Sequence, residues 1–254
     1  MRGSSKDIIE FMITTAHEAL RDRDFQKAAA TLQKVLALEP HAEAQFTLAV
    51  LYAKGYGVDQ DYREAAYLFR QAELAGDEEA ENYCTKSIMD YILQDIDAKT
   101  PERLYSEMTD LVAYVYPEAP VKTETNRKLY ALAGLLFNKK DYAPAAKLFR
   151  AAAQYGDDGY SQNYLAVLYN AGAGLPKNDL AALYWFDRAA DHGVDVAVKD
   201  RDGILNAYRQ NFAAADLYYA LTELASVCET GGEDVPMDPE KAERWRKTAE
   251  SITS

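Results

Sequence analysis

The sequence predicts an all-α protein made of antiparallel helix pairs, with about thirteen helices in one array. Three observations carry this prediction: a segment that recurs without a gap, a regular spacing between unit ends, and a composition that favours helices. The chain has 254 residues, among them 42 alanines and only 8 prolines. Alanine has the highest intrinsic helix propensity, so the composition supports the prediction.

The recurring segment is the strongest of the three observations. Residues 48–76 read LAVLYAKGYGVDQDYREAAYLFRQAELAG, and residues 165–193 read LAVLYNAGAGLPKNDLAALYWFDRAADHG. Weaker copies bring the unit ends to spacings of 37, 41, 39 and 37 residues, counted from Glu39 through Gly76, Pro117 and Gly156 to Gly193. A period near 40 residues is typical of a helical repeat array.

Each copy predicts a first helix, here called helix A, that ends at a glycine loop. Leu48, Leu51 and Tyr52 recur at helical spacing and predict a buried stripe on this helix. Gly55 and Gly57 follow its last turn, where a left-handed residue can end a helix without a Cβ clash.

The second helix of each copy, helix B, has recognisable start and stop signals. Asp61 has the form of an N-cap, with Glu64 three residues later as in a capping box, and Asn178 occupies the matching position in the second copy. Gly76 and Gly193 are expected to end helix B. Alanines within helix B, such as Ala65 and Ala72, lie where two helices must approach closely.

The repeat predicts one domain over residues 6–254. Its units lie near 6–40, 41–77, 78–118, 122–157, 158–194, 195–216 and 217–252. Units 78–118 and 195–216 are divergent but still read as helical. Pro101 and Pro239 each occupy a position where a helix can begin, because a proline in the first turn loses no hydrogen bond.

The N-terminal residues and the length of the apolar runs indicate where in the cell the protein could be found. The opening MRGSS is typical of an expression tag, so residues 1–5 are expected to be foreign, and the absence of a signal peptide here does not exclude a native one. The apolar run YALAGLLF at residues 130–137 is far shorter than the roughly 20 residues that cross a bilayer. We expect a soluble protein without a membrane span, either cytoplasmic or exported to a bacterial periplasm.

The pattern LxxxYxxGxGVxxDxxxAxxxxxxAxxxG, met at 48–76 and at 165–193 with Leu175 and Asn178 at two of its positions, resembles the Sel-one-like repeat (SLR) family. Residues 16–40 and 129–156 are similar to the related tetratricopeptide repeat. These resemblances cover about two thirds of the chain. They imply a right-handed α-solenoid whose concave face, lined mainly by helix A, binds a protein or peptide. They also imply an adaptor, and many bacterial members are exported.

Charge and residue types argue against several functions. The net charge of −13, from 28 basic and 41 acidic residues, disfavours nucleic acid as a partner. The three histidines and the two cysteines, Cys84 and Cys228, have no metal-ligand spacing, and both cysteines read as buried hydrophobic residues. No nucleotide or nucleophile motif is present, so we expect no cofactor, no metal site and no catalytic residue. The acidic cluster lacks the spacing of a calcium loop; its members are Glu229, Glu233, Asp234 and Asp238.

The resemblance to the tetratricopeptide geometry also implies which helix A side chains face the groove. Counted from the packing pair of each unit, they are Phe46, Lys54, Arg127, Tyr130, Asn138, Tyr160, Asn163 and Asn170. Asn163 and Asn170 are candidates to clamp a peptide backbone through their amides, or are simply exposed polar residues. Tyr130 and Tyr160 are candidate aromatic anchors, or core residues.

Three functions remain open at this point. The first is a non-enzymatic scaffold that docks a protein segment in the groove, a basic segment given the charge. The second is an exported cell-envelope protein that binds or processes peptidoglycan or another glycan. The third is self-association into a homo-oligomer through the ends of the array, with Trp245 as either a cap residue or a dimer contact.

Overall fold

The computed structural model describes residues 5–253, and these form thirteen α-helices. In chain order they are α1 Ser5–Arg21, α2 Phe25–Leu38, α3 Ala42–Lys54, α4 Tyr62–Leu74, α5 Ala80–Leu93, α6 Pro101–Val115, α7 Val121–Asn138, α8 Tyr142–Ala151, α9 Gly159–Ala171, α10 Asp179–Asp191, α11 Asp195–Asn211, α12 Ala214–Thr230 and α13 Pro239–Thr253. The predicted all-α class and the number of helices are confirmed. Residues 1–4 of the predicted tag lie outside the described part, and Ser5 begins α1.

The helices pack as sequential pairs. Helices α3 and α4 form the pair of the first glycine-loop repeat, and α9 and α10 form the pair of the second. The divergent unit 78–118 folds as α5 and α6, and α6 begins at Pro101 as expected. The divergent unit 195–216 contributes the single helix α11, which packs on α10. Two short turns complete the chain, a 3₁₀ turn at Ile96–Ala98 and a π-helical turn at Ala152–Gly156.

The chain divides into two compact units. Unit 1 comprises residues 1–96 and 109–121, and unit 2 comprises residues 97–108 and 122–254. Unit 1 therefore holds α1 to α5 and the second half of α6, and unit 2 holds the first half of α6 and α7 to α13.

Small residues allow the helices of each pair to pack closely. Ala65 and Ala72 of α4, and Ala182 and Ala189 of α10, are completely buried. Larger apolar side chains, such as Phe69, fill the space beyond them. This burial is the main source of stability, because each fully buried large apolar side chain contributes about 1.5–3 kcal/mol.

Each glycine loop connects helix A to helix B of one pair and packs against the pair before it. Gly55 and Gly172 are left-handed, with φ of 68° and 65°, and end helix A as predicted. A Cβ on Gly57 would lie under 3.0 Å from backbone atoms of Phe25, the first residue of α2. A Cβ on Gly174 would clash in the same way with Tyr142, the first residue of α8. Each loop therefore rests directly on helix B of the preceding pair.

The predicted helix starts are confirmed in three of four cases. The Asp61 carboxylate accepts bonds from the backbone N–H groups of Arg63 and Glu64, at 2.9 and 3.0 Å. Asn178 caps α10 through the N–H of Ala181 at 3.0 Å, and Asp238 caps α13 in the same manner. Asp141 occupies the N-cap position of α8, but its side chain makes no cap bond.

Both cysteines are buried thiols, as predicted, and burial raises the pKa of Cys228 to about 12.

Trp245 was expected to be either a cap residue or a dimer contact. Its side chain is only 3% exposed in the α12–α13 pair, so the idea that it is a dimer contact is wrong. The indole instead belongs to the interior of the last pair, where its burial contributes to stability.

Candidate functional site

The first candidate site is a cleft between the N-terminal halves of α7 and α9, called here the unit 2 cleft. Both α7 and α9 are helix A of their repeats, so the cleft lies on the surface that the resemblance assigns to the groove. It has a volume of about 390 Å³. It is lined by Lys122, Thr123, Asn126, Arg127, Tyr130, Asp158 and Tyr160. Three of the eight predicted groove residues therefore come together here: Arg127, Tyr130 and Tyr160.

The aromatic wall of the unit 2 cleft rests on a larger cluster of rings. Tyr160 is 63% exposed, and its ring centre lies 6.1 Å from that of Tyr130. Tyr130 contacts Tyr164 at 5.8 Å, and Tyr164 stacks on the buried Phe149 at 5.0 Å. Burial raises the pKa of Tyr130, with further contributions from Tyr164 and the Asp158 carboxylate. The packed rings hold the exposed Tyr160 on a rigid base.

The polar side of the cleft adjoins the π-helical turn. The Asn126 amide donates a hydrogen bond to the Gly156 carbonyl at 3.0 Å, while its own carbonyl oxygen is buried without a partner. A Cβ on Gly156 would collide with the Asn126 side chain, so only glycine leaves room for it. Turns of this π-helical kind are frequent at functional sites.

Charges at the unit 2 cleft are only partly paired. Arg127 forms a two-point ion pair with Glu124 at 2.5 and 2.7 Å, which compensates its charge. Asp158 caps α9 by accepting a bond from the Ser161 N–H at 2.7 Å. Lys122 is exposed and forms no ion pair within residues 5–253.

A second cleft of about 350 Å³, the unit 1 cleft, lies between α3, α4 and α5. Its lining residues are Val50, Ala53, Lys54, Gln60, Tyr62, Phe69, Tyr83, Lys86, Ser87 and Asp90. The ring of Phe69 stacks on that of Tyr83 at 5.3 Å, and Phe46 meets both rings edge-on at 5.2 and 5.1 Å. Lys54 is thus the predicted groove residue that lines this cleft. Phe46 lies beside the cleft and lines a separate 330 Å³ pocket at the N-terminal end of α3.

The three predicted asparagines lie in different surroundings. Asn138 and Asn170 are exposed at the C-terminal ends of α7 and α9. Asn163 is only 8% exposed, so the alternative that it is simply an exposed polar residue is wrong. Its Oδ1 atom is buried without a hydrogen-bond partner. The paired amide clamp of Asn163 and Asn170 stays a prediction.

Sequence reasoning missed several lining residues of the unit 2 cleft. Two of them, Thr123 and Asn126, lie four residues before the predicted groove residues Arg127 and Tyr130, respectively, on the same face of α7. The helical spacing from Arg127 and Tyr130 therefore indicates these two residues. Asp158 had no such signal, because it comes from the start of the next helix A.

The acidic residues near the C terminus have structural partners. Glu229 pairs with Arg246 at 2.5 Å, and Asp238 caps α13 and accepts a bond from the Tyr184 hydroxyl. Asp234 accepts bonds from the Tyr169 hydroxyl and the Asn178 amide. In the part of the chain that the structure describes, no group of histidine, cysteine or carboxylate side chains could hold a metal ion.

A buried ionic cluster joins three helices of unit 2. The carboxylate of Asp187 on α10 is 1% exposed and contacts Arg201 of α11 at 2.8 Å. It also contacts two residues of α13, Lys241 at 2.5 Å and Arg244 at 3.1 Å. Such a pair contributes little net stability, but the loss of one partner leaves a buried charge uncompensated. The cluster therefore makes the position of α11 and α13 depend on Asp187.

Comparison with protein families supports the repeat prediction directly. The model of the Sel1 repeat matches residues 42–77, 159–194 and 219–249. These ranges coincide with the pairs α3–α4 and α9–α10 and with the greater part of α12–α13. No curated protein sequence matches the chain. Among the described residues, no helix is both long and apolar enough to cross a bilayer.

Two solved structures are similar to the chain. A protective antigen of uropathogenic Escherichia coli that displays an SLR fold is 18% identical, with a TM-score of 0.31. The match covers 99% of this chain and 55% of that protein, so the chain spans about half its length. A Sel1 repeat protein from Oxalobacter formigenes is 19% identical, with a TM-score of 0.28, and the match covers 94% of this chain and 96% of that one.

Proposed function

Because this chain contains three Sel1 repeats, which generally mediate protein–protein interaction, we propose that it is a non-enzymatic scaffold. On this proposal a segment of another protein binds along the surface formed by helix A of successive units. The observation that carries the proposal is the unit 2 cleft, where Arg127, Tyr130 and Tyr160 meet around one 390 Å³ space.

The chemistry of this cleft suits a protein segment. A volume of this size lies within the ~300–1,000 Å³ typical of binding clefts. An exposed tyrosine on a rigid base, such as Tyr160, is a frequent energetic centre of protein interfaces, because it buries a large ring at a low cost in conformational entropy. The exposed Thr123 offers a hydroxyl beside the rings, which can hydrogen-bond a bound backbone.

We also propose, from the charge alone, that a basic segment is attracted to the chain. A net charge of −13 creates a field that raises the rate of encounter with cationic segments. This proposal concerns the long-range approach of the partner. The contacts inside each cleft depend on the charges of its own lining.

Capture of partners on the immobilised protein tests the scaffold proposal. Lysate of the organism that encodes the protein is passed over the wild type and over the double variant Tyr130→Ala/Tyr160→Ala, and retained proteins are identified by mass spectrometry. We expect a specific protein to be retained by the wild type and at least tenfold less by the variant, since interface aromatic residues often contribute ~2 kcal/mol or more. Circular dichroism checks that the variant is folded.

Tyr219→Ala is the matched control, because Tyr219 is 68% exposed on α12 and lines neither cleft. This control should retain the same protein as the wild type. Equal retention by all three proteins would show that the unit 2 cleft is not the binding surface.

We also propose that the protein self-associates through an exposed apolar face of α1. Ile8 and Phe11 of α1 are 50% and 72% exposed and lie one helical turn apart. An apolar face at the end of a repeat array is a common contact surface. Light scattering of the wild type and of Phe11→Lys tests it: a mass above that of the monomer should fall in the variant, and a monomeric wild type contradicts it.

A further inference from the structure

The unit 1 cleft combines an apolar floor with an exposed aromatic wall. The ring of Phe69 is 1% exposed and forms part of the floor, held in place by the edge of Phe46. Tyr83, which stacks on Phe69, is 43% exposed and is therefore available to a bound side chain. This arrangement accommodates one large apolar side chain, because Tyr83 and the half-buried Val50 and Ala53 would lose contact with water on binding.

The rim of the same cleft carries one uncompensated positive charge. Lys86 is paired with Asp90 at 2.9 Å, so these two charges cancel. Lys54, the last residue of α3, is exposed and has no ion-pair partner among residues 5–253. A lysine in the last turn also interacts favourably with the helix dipole, but this interaction leaves its ammonium group accessible. The cleft is thus locally positive in a chain whose net charge is −13.

Resting on the proposed scaffold function, we propose that the unit 1 cleft binds a partner segment in which a large apolar residue is adjacent to an aspartate or glutamate. The apolar side chain packs on Tyr83 and Val50, above the buried Phe69, and the carboxylate pairs with Lys54. A chain-wide negative field acts over about one Debye length, ~8–10 Å at physiological salt. At contact distance the nearest charge dominates, and that charge belongs to Lys54.

A randomised peptide library displayed on phage tests the proposed specificity. Selection is run on the wild type, on Lys54→Glu, on Tyr83→Ala and on the unit 2 double variant Tyr130→Ala/Tyr160→Ala, and the enriched sequences are compared. We expect the wild type to enrich a large apolar residue next to an acidic one. Lys54→Glu should keep the apolar preference and lose the acidic one, whereas Tyr83→Ala should lose both.

Affinities then quantify the effect. An enriched peptide, labelled with fluorescein, is titrated by fluorescence anisotropy against the wild type, Lys54→Gln and Lys34→Gln. Lys34 is an exposed lysine of α2 that lines neither cleft, so its replacement is a control with the same change of charge. We expect Lys54→Gln to raise Kd about two- to fivefold, the range of an exposed ion pair, and Lys34→Gln to leave Kd unchanged.

The outcomes separate this inference from the scaffold proposal. If the enriched sequences depend on Tyr83 but show no acidic preference, or prefer basic residues, the cleft binds segments and the assignment to Lys54 is wrong. If the wild type enriches no sequence, or if Tyr83→Ala and Tyr130→Ala/Tyr160→Ala enrich the same sequences as the wild type, the clefts do not bind protein segments. The scaffold proposal then fails together with the inference.

Discussion

The repeat at residues 42–77 and the repeat at residues 159–194 share a backbone and their buried alanines, but differ in side chains that contact neighbouring helices. Their loop glycines agree closely, with φ of 71° at both Gly57 and Gly174. Where the first repeat has Phe46 and Arg70, the second has Asn163 and Asp187 at the aligned positions. The two repeats therefore keep the same backbone conformation while different side chains contact the neighbouring helices.

Arg70 and Asp187, which occupy aligned positions, differ in both charge and burial. Arg70 in unit 1 pairs with Glu73 at 2.8 Å and Glu118 at 2.7 Å, and those partners keep contact with water. Burial tends to lower the pKa of Arg70, but the two carboxylates outweigh it and raise the pKa. Asp187 in unit 2 is almost completely buried, and so is its partner Lys241. The same position of the repeat therefore holds a partly exposed positive charge in unit 1 and a buried negative charge in unit 2.

The largest expected effect distinguishes these two ionic sites. Asp187→Asn leaves the buried ammonium group of Lys241 with only the half-exposed Asp191 as its counter-charge, and should lower the free energy of unfolding by about 3 kcal/mol. Arg70→Gln should cost only about 1 kcal/mol, because Glu118 can rehydrate. Urea denaturation followed by circular dichroism measures both values. Equal losses would show that burial does not distinguish the sites.

The next effect tests what the two repeats share. Gly57→Ala and Gly174→Ala each force a Cβ against the backbone of the preceding helix B and add left-handed strain, so each should cost about 2–4 kcal/mol. Gly76→Ala and Gly193→Ala are matched controls with positive φ but open space around the new Cβ. Their expected cost is about 1 kcal/mol. Melting temperatures of the four variants check the order.

A smaller effect concerns the difference between Phe46 and Asn163. Asn163→Leu removes a buried oxygen without a partner and should raise the free energy of unfolding by about 1 kcal/mol. Asn170→Leu, at an exposed position of the same helix, should change it by less than about 0.5 kcal/mol. Thermal unfolding provides the comparison. A destabilised Asn163→Leu would indicate that the amide has a structural partner, such as an ordered water.

The smallest effect is a dependence on pH at the start of the second repeat. Asp157 lies two residues before this repeat, where Pro40 precedes the first one, and contacts Arg188 and His192. Burial tends to raise the pKa of Asp157, but these partners and Gln162 outweigh it and lower the pKa.

Because the folded pKa lies below the unfolded value of ~3.9, the stabilising contribution of the Asp157 carboxylate is complete above about pH 4 and is lost as the pH falls further. Asp157→Asn should therefore be less stable than the wild type at pH 7, and the difference should shrink between about pH 4 and pH 2. Asparagine tolerates the left-handed backbone at this position, so the variant isolates the charge. A constant difference across the titration would contradict the assignment.

Much of the fold was predictable because its signals are local. The caps at Asp61 and Asn178, and the glycine loops after α3 and α9, depend on residues within a few positions of one another. Asp141 is the exception: the start of α8 was predicted, but the side-chain cap bond was not formed. The candidate site was predictable in part, since Arg127 and Tyr130 lie on one stripe of α7, whereas Asp158 joins them from the next helix A.

The sequence by itself determined the all-α class, the order of the helices and the glycine loops that connect helix A to helix B, because helix periodicity and turn chemistry act over short stretches of chain. Only the tertiary structure decided that Asn163 is buried, that Asp187 anchors α11 and α13, and that Lys54 faces an apolar cleft without a partner. Burial and charge pairing depend on side chains that are distant in sequence. The packing of neighbouring repeats determines which of them meet.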